Sequence, residues 1–240
     1  MNASSLWPRC LLLLVSFWLL GADDPARKTL KVAKTDDFEI TGDGSAAAWN
    51  KAAWEVMPAR GEKPREEATK FKALHSAKGI YFLMQGADRK ITASMEDDFA
   101  DLWKEDVFEV FLWPDEKSPI YFEYEISPLN RELPILVPNF SGKFLGWRPW
   151  HYDGERKIKK ATSVQGGSKT SGSAATSWTA EFFIPYALLA PLQNVPPQPG
   201  TTWRANFYRM DYDDGQARWT WSPVGPSFHD IQNFGTLVFE

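Results

Sequence analysis

A run of period-two alternation in residues 99–128, FADLWKEDVFEVFLWPDEKSPIYFEYEISP, constrains this chain more than any other stretch. In VFEVFLW, Phe108, Val110 and Leu112 fall on one face, and Val107, Glu109, Phe111 and Trp113 on the other. The first face is wholly apolar. The second is apolar except for Glu109, an acid that needs a hydrogen-bond partner or a wet cleft if the strand is half-buried. The next run repeats the asymmetry, with Phe122, Tyr124 and Ile126 against Tyr121, Glu123, Glu125 and Ser127. The link PDEKSP is too short for a helical crossover and rich in turn formers, so the two runs are expected to pair as an antiparallel hairpin. Trp103 precedes the hairpin in a stretch that fits neither strand nor helix periodicity.

Carboxylates beside an exposed indole suit a sugar, whose C–H faces stack on rings and whose hydroxyls hydrogen-bond to acids. The alternative is structural: Trp103 plugs the end of a core and Glu109 pairs with an arginine. The composition fits a ring-rich β protein, with 12 Trp and 7 Tyr in 240 residues, 43% of them hydrophobic. A net charge of −4 without a basic stripe argues against a nucleic-acid partner.

Residues 1–22 read as an export signal: Arg9, an apolar run over residues 10–20, then Leu20-Gly21-Ala22 ahead of Asp23-Asp24. Cys10, the one cysteine, lies inside this segment, so neither disulfides nor thiol chemistry is expected after its removal. The remaining residues, 23–240, read as one domain without a membrane span, secreted or held in the periplasm or cell envelope.

Residues 30–35 and 38–41 are expected to be short strands, followed by the turn Gly42-Asp43-Gly44-Ser45 and a helical turn that packs Trp49 and Trp54 inward. Residues 68–75 and 79–88 form a second expected hairpin, with Ile80, Phe82 and Met84 opposite Tyr81, Leu83 and Gln85; two apolar faces place it inside a sheet. The aromatic stretch KFLGWRPWHYDGE is expected to plug an open end of the fold, with lining a ligand site as the alternative, and VQGGSKTSGSAAT to form a mobile hairpin tip between strands at 156–163 and 177–184. On the strand through residues 203–210, Arg204, Asn206, Tyr208 and Met210 share one face, and Asp213-Asp214-Gly215 turns it back. No helical pattern persists beyond about ten residues. The expected fold is therefore all-β: an antiparallel sandwich of jelly-roll or immunoglobulin-like type with a few helical turns.

No nucleophile elbow, phosphate loop, dinucleotide fingerprint or zinc helix is present. His75, His151 and His229 lack metal-ligand spacing and are expected on the surface or in loops. The acidic run containing Asp97, Asp98 and Asp101 is a candidate for calcium, or simply a solvated loop. Glu109, Glu123 and Glu125 share a face rather than flanking a bond from two sides, which favours binding over glycoside cleavage.

The segments ITGDGSAAAWNKAAW, LWKEDVFEVFLWPDEKSPIYFEYEISP, WTAEFFIPYALL and GTTWRANFYR, with the closing WTWSPVGPSFHDIQNFGTLVFE, together resemble family 9 carbohydrate-binding modules. The resemblance implies a non-catalytic β-sandwich that grips a mono-, oligo- or polysaccharide between two rings, with structural calcium in some members. By this likeness Trp103 is the first ring in W-x-x-D-x-x-E, with Asp106 and Glu109 as its acids. Phe228 stands where binding members carry tryptophan, Glu125 and Ser127 where the best-studied type has arginine and asparagine, and Tyr208 at a polar position of the neighbouring strand. Two alternatives stand beside this one. One is a haem-binding electron-transfer module of related architecture, with Met84, Met95, Met210 or His229 as ligands. The other is a structural or adhesive envelope domain whose site has decayed.

Overall fold

The computed structural model describes residues 27–61 and 68–240; the expected export signal lies outside them. Fifteen strands are present among these residues: β1 (Thr29–Lys34), β2 (Glu55–Met57), β3 (Ala59–Arg60), β4 (Thr69–His75), β5 (Gly79–Ala87), β6 (Val107–Trp113), β7 (Ile120–Ile126), β8 (Glu132–Phe140), β9 (Lys143–Phe144), β10 (Arg148–Pro149), β11 (Lys159–Gln165), β12 (Ser177–Pro185), β13 (Thr202–Asp211), β14 (Ala217–Thr220) and β15 (Gly235–Phe239). One α-helical turn, α1 (Tyr186–Leu189), follows Pro185, whose ring ends the strand before it.

The strands form a sandwich. One sheet runs β10-β8-β7-β6-β13-β15 and the other β4-β5-β12-β11, and β1 belongs to both. Its Thr29–Val32 half pairs in parallel with β15, and Ala33 and Lys34 pair with Leu74 and His75 of β4. A second stitch lies at β2 and β3, which flank Pro58: β2 pairs with β4, and β3 with β14 at the edge of the first sheet.

The alternation that defined the hairpin sets the layers. Phe108, Val110, Leu112, Phe122 and Tyr124 of the first sheet meet Phe71, Phe82, Trp178 and Phe182 of the second in a continuous core. Ring pairs cross the interface, with Phe108 stacked on Trp178 at 4.0 Å and Phe71 tilted against Phe207 at 4.2 Å between centroids. Arg209 also points into this layer. Its guanidinium meets Asp88 and Asp211 at 3.1 and 2.8 Å and lies 4.5 Å over Trp219. Gly86 makes room for it, since a Cβ there would sit 2.5 Å from Arg209 Nη1.

Both outer faces carry clusters of their own. On the second sheet, Tyr81, Leu83 and Phe183 pack with Trp49 and Phe38. On the first, Val107, Phe111, Tyr121, Leu133, Ile135, Tyr208 and Met210 form a floor beneath the loops.

Four expectations need correction. Residues 38–41 are not a strand: Phe38 stacks on Tyr81 at 4.2 Å, and the amides of Phe38 and Thr41 donate to the side chains of Tyr81 and Glu181. Side-chain acceptors replace the ladder. Trp54 is not packed inward but 36% exposed, with the Lys70 and Lys72 ammonium groups 4.4 and 5.0 Å from its ring. The Gly/Ser-rich tip is anchored, because the amides of Ile91, Gly172 and Ala175 bond Ser173, Ile91 and Arg89 carbonyls. Finally, His75 is buried at the end of β4, against the Glu240 carbonyl.

Candidate functional site

The organising hairpin builds the floor of a pocket on the outer face of the first sheet. Cross-strand register places Tyr208, Glu109, Glu125 and Leu133 in one row across four strands, and Asn206, Phe111, Glu123 and Ile135 in the next. Glu109 and Glu125 are direct neighbours, with Cβ atoms about 5 Å apart by strand geometry. Glu123 lies two residues along on the same face. All three carboxyls are buried, and one oxygen each of Glu123 and Glu125 has no hydrogen-bond partner.

Loops complete the walls. The 3-10 turn Leu102–Lys104 holds Trp103, 43% exposed, with the Lys104 ammonium 4.9 Å from its ring and the Tyr212 hydroxyl bonded to its carbonyl. The stretch after β8 contributes Phe144 and Trp147, the β13–β14 hairpin Gln216 and Arg218, and the loop before β15 Pro226, Phe228 and His229. Phe144 lies flat on His229 at 3.9 Å and 9°. Together these residues enclose about 380 Å³, within the range of small-molecule sites.

Trp103, Glu109, Glu125 and Phe228 all line this pocket. Asp106, Ser127 and Tyr208 are buried behind it. Asp106 accepts the backbone amides of Thr92 and Tyr212 at 2.6 and 2.9 Å, fixing the approach to β6 and the turn after β13. Ser127 closes the β7–β8 turn, its amide donating to the Arg131 carbonyl and its hydroxyl accepting from the Arg131 amide. Tyr208 stacks beneath Phe228 at 4.1 Å and 14°, and its hydroxyl donates to the Phe228 carbonyl while accepting from Asn206. It therefore positions the second ring.

Sequence reasoning missed Phe144, Trp147 and His229 as pocket residues. The segment 143–155 was expected to plug the fold's end, and Trp150 does pack against the core between the sheets, but Phe144 and Trp147 turn to the pocket. The signal was its density of rings; where a loop returns along a sheet is a tertiary property that local spacing does not encode.

Burial raises the pKa of Glu109 to about 8 and raises Glu123 and Glu125 well above the carboxylate range, with the neighbouring acids adding repulsion for the latter two. Burial lowers His229 to about 4. The 3.8 Å approach of His229 Nδ1 to Glu123 is thus between two neutral groups rather than an ion pair. Near pH 7 the floor presents carboxylic acids, able to donate as well as accept.

The calcium candidates do not gather. Asp98 accepts the Lys160 ammonium and the Glu132 amide, and Asp101 accepts Lys104. Among the described residues, three carboxylates converge instead at Asp88, Asp211 and Asp213. There Arg209 bridges Asp88 and Asp211, their other oxygens accept the amides of Lys90 and Asp213, and Asp213 accepts Thr92. Of the six carboxylate oxygens there, Asp213 Oδ2 is buried without a hydrogen-bond partner, whereas calcium takes six to eight oxygen ligands. Of the haem-ligand candidates, Met84 is sealed in the core, while Met210 and His229 line the pocket.

The two sheets and their ring-walled, acid-floored pocket define a β-sandwich of the small-ligand-binding kind. Residues 51–239 match the model of carbohydrate-binding family 9, and the chain belongs to that family. A structure from Bacteroides uniformis, provisionally assigned as a carbohydrate-binding protein, superposes with a TM-score of 0.73 at 20% identity, covering 89% of this chain and 100% of that one. A family 9 module from Caldicellulosiruptor kristjanssonii, solved with cellotriose, gives 0.64 at 16% identity, covering 89% and 94%. Its glucose complex gives 0.61 at 16%, covering 89% and 96%. An "Extracellular protein" of Arthroderma benhamiae is 33% identical over 147 residues, 58% of this chain. That match spans 63% of the relative's length. No helix among the described residues is long and apolar enough to cross a membrane.

Proposed function

We propose that the chain is an exported, non-catalytic protein that holds a sugar or glycan chain end in the pocket above β6 and β7. Trp103 and Phe228 supply stacking faces, while Glu109 and Glu125 hydrogen-bond hydroxyls. The observation that carries this reading is the convergence of an exposed indole, a phenyl ring and buried acids on one cavity of about 380 Å³. Glucose and cellotriose in the related Caldicellulosiruptor module support the ligand class. The extracellular relative supports export.

The arrangement of the floor supports binding rather than cleavage. Hydrolysis needs an acid and a second carboxylate on either side of the glycosidic bond, whereas these acids lie side by side in one sheet.

Isothermal titration of the chain lacking residues 1–22 tests the reading against glucose, cello-oligosaccharides and xylo-oligosaccharides. Saturable binding to at least one, weakened tenfold or more by Trp103→Ala, is expected. Absence of heat with every sugar, or unchanged affinity in the variant, overturns it.

A further inference from the structure

The acid floor carries more negative capacity than a neutral sugar requires. Glu109, Glu123 and Glu125 occupy adjoining positions on one face, and the unpartnered oxygens of Glu123 and Glu125 are buried. Among the described residues no lysine lines the pocket. Lys104 is held by Asp101 at 2.6 Å. Arg218, the one guanidinium in the wall among those residues, donates to the Pro226 carbonyl. No cationic side chain reaches these three acids among the described residues, in contrast to buried Asp88 and Asp211, which Arg209 holds.

Above this floor stand Trp103, Phe144, Trp147 and Phe228. Rings over carboxyls form a cage suited to a cation, since π faces attract positive charge and buried acids lack a counter-ion. We propose that the pocket prefers a saccharide bearing a protonated amine, a glucosamine unit, over the corresponding neutral sugar. The inference rests on the proposed sugar-binding role and names the ligand class of the same site. An ammonium at the Glu123–Glu125 edge donates to the two orphaned oxygens, while the pyranose face meets the rings. Because burial holds these acids protonated, the ammonium draws one into its ionised form and a proton passes to buffer.

Calorimetry with glucose, glucosamine and N-acetylglucosamine, and with the β-1,4-linked trimer of each, tests this at pH 6.5. N-acetylglucosamine keeps the sugar ring but cannot be cationic. Glucosamine or its trimer is expected to bind at least tenfold tighter than the glucose counterpart, with the gain absent from the acetylated form and reduced by 0.5 M salt. The heat should vary with buffer ionisation enthalpy, reporting proton release only for the amine. Glu125→Gln and, independently, Glu123→Gln should narrow the amine-to-glucose affinity ratio, with folding checked by thermal melting. Equal or weaker binding of the amine, with glucose or its trimer still bound, overturns the preference and leaves the sugar-binding reading intact. Binding of none of the six overturns both.

Discussion

Tyr208 illustrates how a residue can matter to a site without touching its contents. Its hydroxyl is committed on both sides, to the Phe228 carbonyl at 2.8 Å and to Asn206 Nδ2 at 2.8 Å, and its ring lies flat under Phe228. Tyr208→Phe retains the stack and removes the tether. We expect a stability loss of about 1–2 kcal/mol for the orphaned carbonyl and amide. Sugar affinity should fall a few-fold, because Phe228 is less well fixed. Urea denaturation and calorimetry on the one variant check both. Phe228→Ala should cost more affinity than Tyr208→Phe while leaving the Asn206 contact in place. Asp106 is a similar case: it stands inside the family pattern W-x-x-D-x-x-E, yet both its oxygens accept backbone amides. Its place in the pattern marks it as part of the site's framework, which spacing alone does not separate from a ligand contact.

Among the elements, the segment 41–49 hangs on one side chain. Glu181 Oε2 accepts the amides of Thr41, Gly42 and Gly44 and the Thr41 hydroxyl, and its Oε1 accepts the Trp49 indole at 2.8 Å. Glu181→Gln turns an NH2 group toward donors. A loss of about 2–4 kcal/mol is expected in chemical denaturation. This loop covers the outer face of the second sheet, across the sandwich from the pocket, so sugar affinity should not change. The strands themselves were legible. Period-two runs gave β5, β6, β7 and β13 with their correct faces and located β4 and β12, because a pleated strand sends alternate side chains to opposite layers. Residues 38–41 have the same alternation, but Tyr81 and Glu181 take their amides from outside any sheet. Of the candidate site, Trp103, Glu109, Glu125 and Phe228 were legible from the hairpin and the family pattern. The walls from residues 144–147 and His229 were not, since loops 80 or more residues apart meet there only after the sheet has formed.

At the scale of the whole molecule, the buried acids govern the response to pH. Burial raises Glu109 and Asp106 to about 8, raises Asp88 to about 6, and raises Glu123 and Glu125 well above the usual range. In the unfolded chain these groups ionise near pH 4–4.5, so from there up to the folded pKa the native state holds more protons, and stability falls as pH rises. His229, lowered to about 4, and His75, also lowered by burial, oppose this below about pH 6.5. Above 6.5 the unfolded histidines are mostly neutral too, and their opposition fades. The window of weakest opposition is therefore pH 6.5–8, where the melting temperature is expected to drop by several degrees. Scanning calorimetry across that window checks the sign, and Glu125→Gln should flatten the slope. A melting temperature that rises from pH 6.5 to 8 contradicts the protonated floor.

The two halves of β1 tie the opening of the described chain to its last strand, Thr29 beside Thr236 and Val32 beside Phe239, and then to β4. During synthesis the partner of residues 29–32 therefore emerges only after every other described strand. Until it arrives β1 has an open flank, and the seam between the two sheets stays unsealed on that side. An unpaired strand flank is a template for edge-to-edge association, so the pairing of β1 with β15 also removes an edge through which unfinished copies could associate.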